Sequence, residues 1–401
     1  MVNVGPHYSV PFFAAFFLYY AGYCVFSSYV ILYLTDKGYS AALCGLVTSL
    51  TLLANLAMEP FGGYLTDTFL STRRYLAVCI GLIVGLCVFC TVFADRPALC
   101  MPALILTAGL AYPFSQLMDA WVNCSLDLDP NLVYSRVRAG GSIGFSLVSV
   151  ASGYYFRRFG WDTYFLVQGT LFLLMLPLLA KLPKVCLGNS RRQGFAKTRL
   201  SLPASFRAAA GNRSYLLCLL ICTVYWFSHR PVGSYLSLLV EARSGDASIF
   251  GNICGAGAAV ECLGLLLLAW MQKKKPVPLW ACMCGALASD VLRPLCLWLL
   301  PGIWPMYVGQ ATQAISFALF YSGSVECFTQ TADSRIRSFS ISMGLTVSSV
   351  VGTISANLLG GWLCDGWGTG SLVILSLGVS SCNCLLLFVC FPRLFSRSCA
   401  K

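Results

Sequence analysis

Seven ionisable side chains interrupt long apolar runs of this sequence: Glu59, Asp119, His229, Arg230, Glu261, Asp290 and Arg293. Carboxylates and an imidazole can take up and release protons, and a guanidinium can hold an anionic or hydroxylated group. A charge at bilayer depth costs about 2.5–3.5 kcal/mol on insertion scales, so it is kept where it faces a cavity or a partner. Helical spacing extends these charges into polar stripes. Tyr112, Gln116, Asp119 and Asn123 share one face, and Arg138, Ser142, Phe145 and Ser149 share another. Thr48, Thr51, Asn55 and Glu59 form a third, Gln310, Gln313, Phe317 and Tyr321 a fourth, and Thr346, Ser349, Thr353 and Asn357 a fifth. Tyr19, Tyr23 and Ser27 add a sixth. One such stripe is ordinary helix–helix adhesion; six, mixed with aromatics, are expected to line an aqueous cavity. Hydroxyls and amides there would hydrogen-bond a polar solute, and aromatic faces would cover its apolar side.

Several charges admit two readings. Asp290 and Arg293 stand three apart on one helix and either neutralise each other or face the cavity. His229 is either a proton carrier or a structural hydrogen-bonding group beside Arg230. Glu59 either titrates or braces the neighbouring loop. Glu261, in "GAGAAVECLGL", has no basic residue within a turn. It is the preferred proton-binding carboxyl, ahead of Asp119, Glu59 and His229.

The elements that must carry these groups are membrane spans. The chain of 401 residues is 58% hydrophobic and only 10% charged, against about 25% charged in soluble domains. "VPFFAAFFLYYAGYCVFSSYVILYL" has no charge, enough to cross a bilayer. It is too long for a signal core and lacks a basic start, so it is expected to be a span. Twelve apolar segments are predicted: 8–34, 42–65, 75–95, 99–121, 138–156, 161–182, 214–239, 248–271, 277–299, 303–326, 337–362 and 370–392. With both termini inside, the inner loops and tail hold 20 Lys and Arg and the outer loops 5. The net charge of +12 is therefore a topology signal, and its basic central cluster is expected to face anionic lipid headgroups, not nucleic acid. The 21 cysteines lie mostly in apolar runs and read as small core residues with free thiols. No nucleophile–base pair, metal-ligand cluster or phosphate loop is apparent. The sequence thus points away from an enzyme and calls for no metal or cofactor.

Two echoes indicate duplication. Ser-Arg-aliphatic-Arg occurs at Ser135 and again at Ser334, 199 residues apart, at the starts of the fifth and eleventh segments. "GGYLTD" (62–67) closes the second segment and "GGWLCD" (360–365) the eleventh, on oppositely directed helices. Inverted three-helix repeats leave such a pattern.

Gly63, Leu65 and Asp67, followed by Arg73 and Arg74, resemble the loop motif of the major facilitator superfamily, although Thr68 replaces its usual basic residue and the glycine that follows it there is absent. The resemblance covers the whole chain. It implies an all-α membrane protein of 12 transmembrane helices, two six-helix bundles (6+6) related by a pseudo-two-fold axis, each with inverted three-helix repeats. The bundles would span 1–182 and 214–401, joined by a cytoplasmic basic linker at 183–213. Within the superfamily, "EPFGGYLTD" and "YSRVRAGGSIGF" are similar to the lactose-permease-like sugar:proton symporter branch. That likeness puts Arg138 at a sugar-binding arginine paired with Asp119, Phe145 at a sugar-stacking ring, and Glu261 and Arg293 at the acid of helix 8 and the arginine of helix 9. With Gln116, Tyr23, Gln310 and Gln313 from the polar stripes, the expected substrate site is Asp119, Arg138, Phe145, Gln116, Tyr23, Glu261, Gln310 and Gln313. The branch's titratable residues of helix 10 are absent: Gln310, Gln313 and Ser316 stand there.

The expected function is secondary active transport of a small polar, sugar-like or nucleoside-like solute by alternating access, driven by protons. The expected setting is a monomer in a bacterial cytoplasmic (inner) membrane, both termini cytoplasmic. Metabolite or drug efflux by antiport, and a non-transporting sensor, are the alternatives.

Overall fold

The computed structural model describes residues 8–129, 131–184, 207–244, 246–274, 277–332 and 337–395. Most of the basic segment 183–213 lies outside these residues, as do Ser334 and Arg335 of the second repeat and both chain ends. Among the described residues the chain is helical: α1 (Ser9–Asp36), α2 (Ala41–Thr68), α3 (Thr72–Val92), α4 (Pro97–Ala111), α5 (Phe114–Ser125), α6 (Tyr134–Phe159), α7 (Tyr164–Leu173), α8 (Leu176–Lys181), α9 (Arg213–Ser234), α10 (Leu236–Ser244), α11 (Ala247–Lys274), α12 (Leu279–Leu299), α13 (Trp304–Thr331), α14 (Arg337–Trp367) and α15 (Gly370–Phe395).

Among the described residues, ten candidate membrane spans, three of them built from consecutive short helices, are long and apolar enough to cross a bilayer. The set leaves out α6 and α13, although they are 26 and 28 residues long. The glycines, serines and tyrosines of α6, and the glutamines and Glu326 of α13, dilute their hydropathy. Prolines divide two of the expected segments. Pro113 has no N–H for the Gly109 carbonyl, and α4 gives way to α5 there. Pro231 lies inside α9, which ends three residues later.

Close packing divides the chain into two units that follow its halves except at two short stretches. One unit holds residues 1–39, 47–195 and 246–255, and the other 40–46, 196–245 and 256–401.

In the first unit α1 runs along α6 and α7, and α3 along α4 and α7. Gly140 and Gly144, one turn apart on α6, permit the approach to α1. A Cβ on either would strike a main-chain carbonyl, of Phe13 or of Phe17. Ser149, expected to face a cavity, is instead fully buried and donates to the Gly251 carbonyl at 3.1 Å. Asp246 caps α11 by accepting from the Ser248 N–H at 2.8 Å, and the Arg157 guanidinium lies 2.8 Å from its other oxygen.

In the second unit α9 packs on α14 and α15, and α12 on α13 and α15. Tyr215, Cys218, Cys222 and Tyr225 meet Met283, Leu287, Phe320 and Phe328 in its core. The "GGWLCD" motif holds the start of α2: Asp365 accepts from the N–H groups of Ala41 and Ala42 at 2.8 Å each. Asn357, on the fifth stripe, is buried, and its carbonyl accepts from Tyr235. The described cysteines are free thiols. Leu385, Phe388 and Val389 are 67%, 80% and 74% exposed, an apolar face suited to lipid.

Candidate functional site

Two groups of charged side chains stand out, one in each unit. In the first, Pro113 restarts the helix as α5 and this segment carries Asp119, while the first turns of α6 carry Tyr134 and Arg138. Tyr134 donates its hydroxyl proton to Asp119 Oδ1 at 3.0 Å. Arg138 Nε lies 3.9 Å from the same oxygen, close enough for Coulomb attraction and too far for a hydrogen bond. The two side chains are 35% and 33% exposed, so the expected pair is brought together but not sealed.

The Arg138 guanidinium sits 4.4 Å from the centre of the Tyr20 ring. Gly141 makes room for this stack, because a Cβ there would meet both the Tyr20 ring and Arg138 Nη1. From Tyr20 the aromatics continue: its ring lies 6.0 Å from that of Tyr23, which lies 5.5 Å from Tyr112 and 6.4 Å from Phe145. Gln116 is exposed and accepts from Ser115 at 2.9 Å. Tyr20 and Tyr134 escaped the sequence reading. Their signal was one turn of helix: Tyr20 precedes Tyr23 by three residues and Tyr134 precedes Arg138 by four.

In the second unit His229, Asp290 and Arg293 are 5%, 3% and 3% exposed. His229 Nδ1 lies 2.8 Å from Asp290 Oδ1, and the Ser228 hydroxyl donates to Asp290 Oδ2 at 2.7 Å. Arg293 Nη1 approaches the His229 carbonyl at 3.4 Å. Aromatic rings enclose the imidazole: Tyr225 stacks on it at 5.3 Å and Trp226 meets it edge-on at 6.3 Å. The Arg230 guanidinium covers the Trp226 ring at 4.8 Å. Asp290 therefore serves α9 through His229 and Ser228, a pairing that the i,i+3 spacing to Arg293 had not indicated. No spacing rule links residue 229 to residue 290.

The remaining predicted residues are more dispersed. Glu261 is half-buried on α11, one turn after Gly257, where a Cβ would lie 3.1 Å from Gln310 Oε1. Gln310 is buried and Gln313 half-buried on α13. Glu59 is half-buried on α2. Gly63 and Asp67 sit near the end of α2, where Thr66 returns its hydroxyl to the Gly62 and Gly63 carbonyls at 3.0 Å each, and Arg73 and Arg74 open α3.

Long apolar helices with charged and aromatic groups gathered inside them define a multi-pass membrane protein. The MFS_1 like family model matches residues 12–374, and the chain belongs to that family. It is 21% identical over 342 residues to the protein named uncharacterized transporter YwbF of Bacillus subtilis (strain 168), covering 83% of this chain and 81% of that one. It is 22% identical over 360 residues to the maltose permease of Geobacillus stearothermophilus, covering 84% and 82%. Among solved structures, a mutant of the nucleoside transporter NupG superposes with a TM-score of 0.84 at 15% identity, over 96% of this chain and all of that one. The peptide transporter POT in complex with sulfate gives 0.71 at 13% identity, over 98% and 96%.

Proposed function

We propose that this transporter moves a small polar solute, sugar-like or nucleoside-like, by alternating access and in symport with a proton. The observation that carries this reading is the Asp119–Arg138 pair beside the Tyr20, Tyr23, Tyr112 and Phe145 rings. A half-exposed carboxylate and guanidinium offer charge-assisted hydrogen bonds to hydroxyls. The rings beside them offer the flat apolar surface that a sugar face or a nucleobase needs. Phe145, Gln116, Tyr23, Glu261, Gln310 and Gln313 are the further substrate residues of this reading. Glu261, Asp119, Glu59, His229 and Arg293 are the coupling candidates. A maltose permease among the relatives and a nucleoside transporter among the structural neighbours agree with the solute class.

The proposed architecture is twelve spans in two bundles, 1–182 and 214–401, working as a monomer. Gly63, Asp67, Arg73 and Arg74 form the loop motif that changes conformation during transport. The protein sits in a bacterial inner membrane with both termini and segment 183–213 cytoplasmic. An engineered cysteine at Gln193, in a cysteine-free background, should resist an impermeant reagent in intact cells; labelling there would overturn the orientation.

The function is tested in reconstituted vesicles offered radiolabelled uridine, maltose and a dipeptide, with and without an imposed inward proton gradient. Gradient-driven accumulation of uridine or maltose is expected. Uptake indifferent to both pH and an uncoupler would make the protein a facilitator, and accumulation of the dipeptide alone would move the solute class.

A further inference from the structure

The sealed cluster of the second unit gathers more buried charge than any other place among the described residues. Asp290 Oδ1 lies 2.8 Å from His229 Nδ1, and Oδ2 accepts from the Ser228 hydroxyl at 2.7 Å. With its Nδ1 proton committed to the carboxylate, the imidazole has Nε2 left as an acceptor. Burying charge without a partner is costly, so a permanently neutral core would be better built from apolar groups. Three ionisable side chains, each at most 5% exposed, are instead gathered at one level of the unit.

Each helix also carries a proline at this level while remaining continuous. Pro231 stands two residues after His229, and Pro294 four residues after Asp290. Pro294 has no N–H to return to the Asp290 carbonyl, and Pro231 none for the Phe227 carbonyl. Buried ionisable groups inside a membrane bundle mark ion and proton pathways.

Building on the symport reading above, we propose that the His229–Asp290 pair is the site where the coupling proton binds. Loading places a proton from water on His229 Nε2, and the cluster gains one positive charge. Release returns that proton to water and the imidazole to its neutral form with Nδ1–H on Asp290. Burial away from water opposes the imidazolium, Asp290 stabilises it, and Arg293 and Arg230 oppose it. Asp290 and Arg293 reach the imidazole from α12, and Arg230 and Tyr225 from α9 itself. Ser316 of α13 meets the Tyr225 hydroxyl at 3.0 Å, Ser376 of α15 donates to the Ser228 carbonyl at 2.7 Å, and Cys384 of α15 lies near Asp290. The flanking cations let the site empty as well as fill, which an isolated His–carboxylate pair would resist. Glu261, half-buried on another helix, becomes a substrate contact.

The chain has two histidines, which permits a test that needs no substrate. Full-length protein labelled with 15N-imidazole histidine, in lipid nanodiscs and in a His7→Gln background, shows His229 by itself. Its Nε2 resonance is expected to change from unprotonated to protonated between pH 9 and pH 5. The Asp290→Asn variant is expected to need at least tenfold more acid to load. An imidazole that keeps one protonation state across this range overturns the proposal, as does a titration indifferent to Asp290→Asn.

The second arm uses vesicles with uridine and maltose. His229→Gln is expected to exchange solute across the membrane and to lose gradient-driven accumulation, while Glu261→Gln keeps its pH dependence. Should His229→Gln not fold, Asp290→Asn is measured instead, and its accumulation is expected to require at least tenfold more acid. Accumulation that survives in His229→Gln, or an unshifted pH dependence in Asp290→Asn, sinks the proton site and leaves the symport reading standing. Wild-type protein that moves neither solute sinks the solute class, and the resonance titration then decides the proton site alone.

Discussion

The two charged clusters differ in how they meet water. Asp119 and Arg138 are each about a third exposed, 3.9 Å apart, and leaned against Tyr20 and Tyr134. His229 and Asp290 are almost fully buried and 2.8 Å apart. An open pair has spare hydrogen-bonding capacity and room for a guest, and it is screened by water, so the fold gains little from it. A sealed pair leaves little room for a guest and matters greatly to stability once formed. The proposed roles, solute selection at the open pair and proton loading at the sealed one, match these opposite physical requirements.

The comparison is broken most directly at Asp290. Replacing it with leucine leaves His229 and Ser228 without their acceptor and Arg293 in a core that has lost its carboxylate. A loss of about 3–5 kcal/mol is expected, read as a drop in Tm in nanodiscs. A variant as stable as the parent would show that the sealed cluster is dispensable to the fold.

The open pair should behave in the reverse way. Asp119→Asn and Arg138→Gln are each expected to abolish uptake while changing stability by no more than about 1 kcal/mol. The double variant should fold and still not transport. Full uptake by both single variants would remove this pair from the site.

A smaller effect is expected at Tyr20, which the Arg138 guanidinium covers. A partly exposed cation–π contact is worth about 0.5–1 kcal/mol. Tyr20→Leu should therefore raise KM by about 2- to 5-fold with kcat held, in an uptake assay. An unchanged KM would mean that Arg138 is positioned by Asp119 and Tyr134 alone.

The smallest effect belongs to a surface counterpart of these pairs, Asp246. Burial alone would raise its carboxyl, but hydrogen bonds from Ser248 and the nearby Arg157 hold it below the usual carboxylate range. A depressed acid contributes stability above its unfolded pKa and loses it as pH falls through the folded value. Tm should therefore decline with acid through the carboxylate range, and Asp246→Asn should flatten part of that decline. A pH profile identical in the two proteins would mean that the cap contributes nothing.

Much of this molecule was legible in one dimension. The apolar runs placed the helices to within a few residues, because hydrocarbon tolerates no unpaired backbone and a run of that length has little alternative to a helix. The pairing of Asp119 with Arg138 was also anticipated, through resemblance. The breaks at Pro113 and beyond Pro231 were not separated from their segments, since a proline inside an apolar run leaves its hydropathy unchanged. The stripes were read too generously. Ser149 and Asn357 follow the same spacing as Asp119, yet both are buried against neighbouring helices. Period identifies a face and says nothing of what covers it.

Local composition was enough to establish that the chain is a membrane protein, where its helices run, and which residues are too polar to face lipid. Those outcomes depend on side chains summed over about 20 residues, so no fold is needed to read them. Which polar residues meet was settled by packing in three dimensions. His229 reaches Asp290 across 61 residues because α9 and α12 belong to one bundle, and Tyr20 reaches Arg138 because Gly140, Gly141 and Gly144 let α1 and α6 close together. Side-chain interactions act over a few ångströms of space whatever the distance along the chain, and no local pattern records which helices become neighbours.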